Sequence, residues 1–127
     1  MSRIPTYDYD LMEQAIYLPM LLTVLKRDLF AVEKGSFKFK RPYSELIQET
    51  MAVIQNDLAK IKRYLYKNNI QVERLKSDEA FTMYIFLYKG HEEHHNYFNP
   101  KLRNGVEELM QYYLLKQFKL EQKEKEA

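Results

Sequence analysis

Along two long stretches of the chain, apolar side chains recur at alternating steps of four and three. Leu11, Ala15, Leu18, Leu22, Leu25, Leu29 and Val32 form the first seam, and Ile47, Met51, Ile54, Leu58, Ile61 and Leu65 the second. A 3.6-residue turn lines such positions up on one face, so each seam predicts an amphipathic helix. Asp10 followed by Glu13 supplies an N-cap and a reciprocal acid for the first helix, and Gly35 supplies its stop. Pro19 lies inside the seam and predicts a kink there, or two collinear half-helices. Pro42 suits the first turn of the second helix, and Asn68-Asn69 its end. The run 70–75 is short and reads as an extended connection.

From 81 to 88 every position but Thr82 is apolar or aromatic. Ser77, Asp78 and Glu79 precede that run with a cap and two acids suited to a helix N-terminus. The pattern predicts a third helix, the most buried of the domain, running on through Gly90. Asn99-Pro100 then opens a fourth, with Leu102, Val106, Leu109 and Tyr113 on one face. Four helices on short connections predict an all-α fold, a four-helix up-and-down bundle whose first helix is kinked at a proline. The 127 residues read as one helical domain, with 115–127 a charged tail expected to fray.

Composition narrows the function classes. A net charge of +2 gives no field that would argue for nucleic acid, and the absence of cysteine removes thiol chemistry and disulfides together. The N-terminus lacks a signal-peptide core, and the least polar stretch, 15–25, is too short to cross a bilayer. A cytoplasmic protein with neither a nucleic-acid nor a membrane partner is expected. Eleven tyrosines and seven phenylalanines stand beside no tryptophan; rings with polar tips suit half-polar interiors. Between the first two helices, Lys34, Lys38, Lys40 and Arg41 interleave with Phe37 and Phe39. Bases and rings of this kind can touch phosphates, but the expectation is a solvated connection whose rings cap the bundle end.

The chemistry rests on His91-Glu92-Glu93-His94-His95, which holds all three histidines of the chain. It reads as H-E-x-x-H, the spacing that puts two zinc ligands one helical turn apart. On a helix continued through Gly90, His91 falls on the buried stripe with Ala80, Leu87 and Phe98. His94 and His95 flank it, and the two glutamates turn outward. A metallopeptidase would use His91 and His95 as ligands and Glu92 as general base. Its third ligand would have to be Glu107 or Glu108. A ferritin-like di-iron centre would use Glu92-x-x-His95 and needs a second such motif, which the chain lacks. A simpler zinc or iron site at His91 and His95 would borrow carboxylates from Asp28, Glu45, Glu49 or Glu107. Against all three stands the plain reading of imidazoles with tyrosine partners near a helix end, and that reading is preferred.

The stretches Phe81-Thr82-Met83-Tyr84, Leu87-Tyr88-Lys89-Gly90-His91-Glu92-Glu93 and Asn96-Tyr97-Phe98-Asn99-Pro100, with Ile4-Pro5 and Tyr17-Leu18-Pro19-Met20, resemble the YhjD-type small proteins of endospore-forming bacteria. The resemblance implies a small cytoplasmic helical protein with a link to sporulation and supplies no catalytic residue. No cofactor is assigned. Tyr112, Tyr113, Leu114, Leu115 and Phe118 leave apolar surface around much of the last helix, which predicts a homodimer or another protein partner. The functional expectation is a non-enzymatic interaction or regulatory module that self-associates. The alternative is a metal-binding protein or metal-dependent hydrolase built on His91 and His95.

Overall fold

The third helix does not form. In the computed structural model, which describes the backbone of residues 3–126 and the side chains of residues 3–116, the chain runs α1 (Thr6–Lys34), α2 (Lys40–Lys67), β1 (Ile70–Ser77), β2 (Phe81–Tyr88), β3 (His91–Phe98) and α3 (Asn99–Glu126). The architecture is α+β: three long helices against one face of an antiparallel three-stranded meander in the order β1-β2-β3. This overturns the all-α four-helix bundle, and with it the expectation that 70–75 is a mere connection. The third element is two strands, and its central one is buried on a single face.

Local chemistry explains the change. Asp78 does cap N–H groups, but those of Ala80 and Phe81, each at 2.8 Å, in a turn that its own N–H closes onto the Phe81 carbonyl. The acid expected in a helix's first turn, behind a Ser77 cap, instead makes an Asx turn between β1 and β2. Lys89 and Gly90 both take positive φ, 50° and 85°, as the two-residue loop joining β2 to β3 requires, and glycine there reverses the chain at little steric cost. Asn69, at φ 56°, turns α2 into β1, and its carbonyl accepts the Lys89 N–H at 3.0 Å. Asn99-Pro100 does open a helix. The Asn99 side chain, however, accepts from the Thr82 hydroxyl at 2.7 Å and donates to the carbonyls of Asp78 and Glu79, fastening α3 to the β1–β2 turn.

The helical seams fare better. Ile54, Leu58, Ile61 and Leu65 are buried on α2, and Leu102, Val106 and Tyr113 on α3. On α1 the buried set is Met12, Ile16, Leu18, Leu21 and Leu25, broader than a single stripe. That breadth follows from position, since α1 is packed by α2, α3 and the sheet together. It starts at Thr6, earlier than Asp10, and passes Pro19 as one uninterrupted helix ending at Gly35. Where α1 meets α3, Gly105 is required: a Cβ there would lie 2.7 Å from the Tyr17 ring. The fraying expected over 115–127 concerns residues whose side chains, from 117 onward, lie outside the described set, Phe118 among them.

Tyrosines hold this arrangement through carboxylates. Asp8, buried on α1, accepts from Tyr64 of α2 at 2.6 Å and from Tyr88 of β2 at 2.7 Å. Glu13 on α1 accepts from Tyr97 of β3 at 2.8 Å, and Asp57 on α2 accepts from Tyr113 of α3 at 2.8 Å. Bonds of this kind, with a charged acceptor, are the stronger class of hydrogen bond.

These bonds set a pH response. The hydrogen bond from Tyr64, then that from Tyr88, holds the Asp8 carboxyl below its ordinary 3.8. The folded value is the lower one, so its contribution is present above the ordinary aspartate range and is lost as pH falls below it. The Tyr64 hydroxyl is pushed up to about 12, chiefly by its bond to Asp8. Here the folded value is the higher one; the contribution is intact below the ordinary 10.0 and is lost as pH rises towards 12. Urea midpoints measured against pH should therefore hold level through neutrality and fall on both sides, with Asp8→Asn shrinking the acid limb. Tyr113→Phe should lower stability by about 1 kcal/mol. A midpoint unchanged above pH 10 would contradict the tyrosine account.

Candidate functional site

In a strand, successive side chains point to opposite faces, so β3 splits the histidine cluster in two. His91, Glu93, His95 and Tyr97 face the helices, in register with Tyr88, Phe86, Tyr84 and Thr82 of β2. Glu92, His94, Asn96 and Phe98 face away. A helical phase turns both glutamates outward; the sheet turns Glu93 inward and leaves Glu92 outside.

Glu93 is the hub of the inner set. One carboxylate oxygen lies 2.9 Å from His95 Nε2; the other lies 3.3 Å from His91 Nε2 and accepts the Arg3 backbone N–H at 3.1 Å. The His95 ring stacks 4.3 Å from Phe86 and lies 5.5 Å from Tyr9. On the outer face, His94 Nε2 lies 3.1 Å from Glu92. Each histidine is thus engaged by a glutamate two residues away on its own face.

This placement removes the geometric premise of the metallopeptidase reading. Four residues of strand separate the backbones of His91 and His95 by about 13 Å, against about 6 Å on a helix. Glu92, the would-be base, stands on the opposite face from both. Asp28, Glu45 and Glu49 belong to the far half of the α1–α2 hairpin; Asp28 lies about 28 Å along α1 from Tyr9, which His95 touches. Among the described residues, no group of three or more His, Asp or Glu is placed to hold a metal ion.

β3 is an edge strand of the sheet, and the backbone of an edge strand can template pairing with another chain. Charged side chains, including inward-pointing ones, blunt such an edge, and Glu92 and Glu93 stand on its two faces. At the other edge, β1 is interrupted by a register shift between Arg74 and Lys76 and carries Glu73, Arg74 and Lys76.

The outer face of the central strand is unlike either edge. Met83, Ile85 and Leu87 point away from the helices and do not join the core cluster. Phe81 and Phe98 pair their rings at 5.4 Å at one end of the row, and Leu75 stands beside it, half exposed. Sequence reasoning missed this surface, although it left a signal. Within 81–88 nothing distinguishes the two faces in polarity, as expected of a strand apolar on both sides.

One apolar cavity of about 630 Å³ opens between α1 and α3, floored by Met20, Val24, Leu102, Val106 and Met110. At its rim Asp78 and Asn99 are already committed to the β1–β2 turn. Of the surface predicted on the last helix, Tyr113 is buried while Tyr112 and Leu115 are half exposed.

If the charges of β3 guard an edge, replacing Glu92 and His94 by valine should leave the melting temperature nearly unchanged. It should also produce large, concentration-dependent aggregates in light scattering. A protein that stays as well dispersed as the parent would show that the edge needs no such guard.

Comparison with known proteins agrees with the resemblance drawn from the sequence. The family model described as "YhjD protein" matches residues 3–118. The "Uncharacterized protein YhjD" of Bacillus subtilis (strain 168) is 45% identical over 106 residues, covering 84% of this chain and 88% of that protein. No solved structure matches. With a family model spanning nearly its whole length and a relative 45% identical over most of it, the chain belongs to the YhjD family.

Proposed function

We propose that this protein is a non-enzymatic interaction module that self-associates through the outer face of its sheet. The observation that carries the reading is the row Met83, Ile85, Leu87 with Phe81 and Phe98, an apolar surface that, among the described residues, takes no part in the core cluster. Contiguous apolar surface of this kind characterises interaction sites. Guarded edges on β1 and β3 disfavour edge-to-edge pairing and leave face-to-face stacking as the route.

The polar flanks of the row suit a second copy. Level with Ile85 stand Glu73 on β1 and His94 on β3; level with Met83 stand Lys76 and Asn96. A two-fold axis along β2 would set Glu73 over the partner's His94. An axis across β2 midway between Ile85 and Met83 would set it over the partner's Lys76. Neither arrangement opposes like charges, and both stack the apolar row on itself. Three strands of eight residues give a footprint of about 14 by 27 Å. That is about 400 Å² against the roughly 800 Å² per partner of a standard interface, so the dimer should be a weak one.

Among the described residues, no helix is long and apolar enough to cross a membrane. The dimer predicted from the last helix thus has a different surface here, and the two can be separated. Sedimentation equilibrium should show a reversible dimer that Ile85→Lys converts to monomer, with an unchanged circular dichroism spectrum. Leu115→Lys on α3 should leave it dimeric. A parent chain that is monomeric at every concentration would remove self-association, and dissociation by Leu115→Lys alone would move the interface to α3.

A further inference from the structure

The far end of the α1–α2 hairpin carries a second apolar surface, of different chemistry. Phe37 and Phe39 do not cap a bundle end, as expected from the sequence; they are 49% and 67% exposed, alongside Phe30 at 64% and Tyr43 at 52%. Phe37 stacks 5.3 Å from Tyr43, and Gly35 makes room for its ring, since a Cβ there would lie 3.1 Å from it. The loop is therefore built, and its rings are held out by local packing.

Cations surround those rings. Lys34 Nζ sits 5.8 Å from the Phe30 ring centre and Lys38 Nζ 5.4 Å from that of Phe39. Lys40 Nζ donates to the Glu33 carbonyl at 3.1 Å, and Arg41 lies 4.0 Å from Glu45, both well exposed. Neither contact consumes a charge to any extent; an exposed pair of this kind contributes little. Between residues 26 and 45 six lysines and arginines stand against three carboxylates, a net +3. A second cationic run, Lys60, Lys62, Arg63 and Lys67 near the end of α2, carries no exposed phenylalanine, so the pairing of cations with bare phenylalanine rings belongs to the tip. The tip stands about 15 Å along α1 beyond Val24, which lines one cavity with Ser77 and Asp78 at the near end of the sheet.

We propose that this tip docks on an anionic lipid surface, with Phe37 and Phe39 entering the headgroup boundary and Lys34, Lys38, Lys40 and Arg41 facing the acidic headgroups. Exposed aromatic rings interleaved with lysines fit that boundary, where a ring can leave water while its neighbouring ammonium groups stay in it. Each cation close to such a surface contributes about fivefold in partition. Four of them with two rings make a reversible, salt-sensitive contact without any membrane-spanning segment. A nucleic acid would use the same cations, but it gives no reason to hold phenylalanines out at a hairpin tip away from any groove.

The test uses the full chain with vesicles of phosphatidylcholine alone and of phosphatidylcholine with one-third phosphatidylglycerol. Co-sedimentation should occur with the second only and weaken as salt is raised. Lys38→Gln should lower the partition coefficient about fivefold, and Phe37→Ser with Phe39→Ser should abolish co-sedimentation, each with an unaltered circular dichroism spectrum. The chain contains no tryptophan, so Phe39→Trp provides a clean reporter; its emission should shift to the blue on anionic vesicles and be quenched by brominated acyl chains. Ile85→Lys should bind as the parent does, which separates this surface from the sheet face. Equal retention on neutral vesicles, a tryptophan that neither shifts nor quenches, or binding to duplex DNA that the two serine substitutions leave intact would each overturn the proposal.

Discussion

The fold depends on α1 being held from several sides at once. It lies against α2, α3 and the sheet, and a helix so placed must offer bonding partners in more than one direction. Apolar packing supplies most of the contact, but it is not directional. Direction comes from two carboxylates, Asp8 and Glu13, that accept tyrosine hydroxyls from α2, β2 and β3. Asp57 repeats the device between α2 and α3. Four of the eleven tyrosines, Tyr64, Tyr88, Tyr97 and Tyr113, work in this way, each hydroxyl fixing a neighbouring element. Burial raises the pKa of Tyr97 and Tyr113 further, keeping these donors protonated wherever the protein is stable.

The helices were legible because their signals are long. Six or seven apolar residues at steps of four and three have no strand equivalent, and α2 follows its seam closely. The sheet was illegible for reasons that lie in particular residues. Asp78 offers the same side-chain oxygen to a helix start and to an Asx turn, and only the chain beyond decides between them. The run 81–88 is apolar on both strand faces, so it lacks the alternation that marks a half-buried strand. Its length, its aromatic and β-branched content, and the Lys89-Gly90 pair that follows were the available signs of a hairpin. A helix there gives H-E-x-x-H a phase it does not have: it turns all three histidines inward and Glu93 outward, whereas the strand puts Glu93 on the inner face and His94 on the outer.

The misassigned segment carries the functional argument. An outer face made of Met83, Ile85 and Leu87 is costly to leave in water, and its edges are guarded against pairing. The same strand that completes the core through Phe86 therefore presents a second apolar row to whatever covers it. The hairpin tip repeats the theme at the other end of the molecule with rings and lysines in place of aliphatics. The helices hold these two surfaces apart, which suits a module that joins one thing to another.

The most direct measurement of the central claim is the labelling rate of a cysteine placed on the sheet's outer face. Because the chain has none of its own, Ile85→Cys gives a single thiol. Its reaction with a maleimide should be fast in dilute solution and slow as protein concentration rises through the dimer range, while a cysteine at exposed Tyr66 stays fast throughout. A thiol that reacts rapidly at every concentration, or slowly at every concentration, would contradict an apolar sheet face that is partly exposed in the monomer and covered by a second copy.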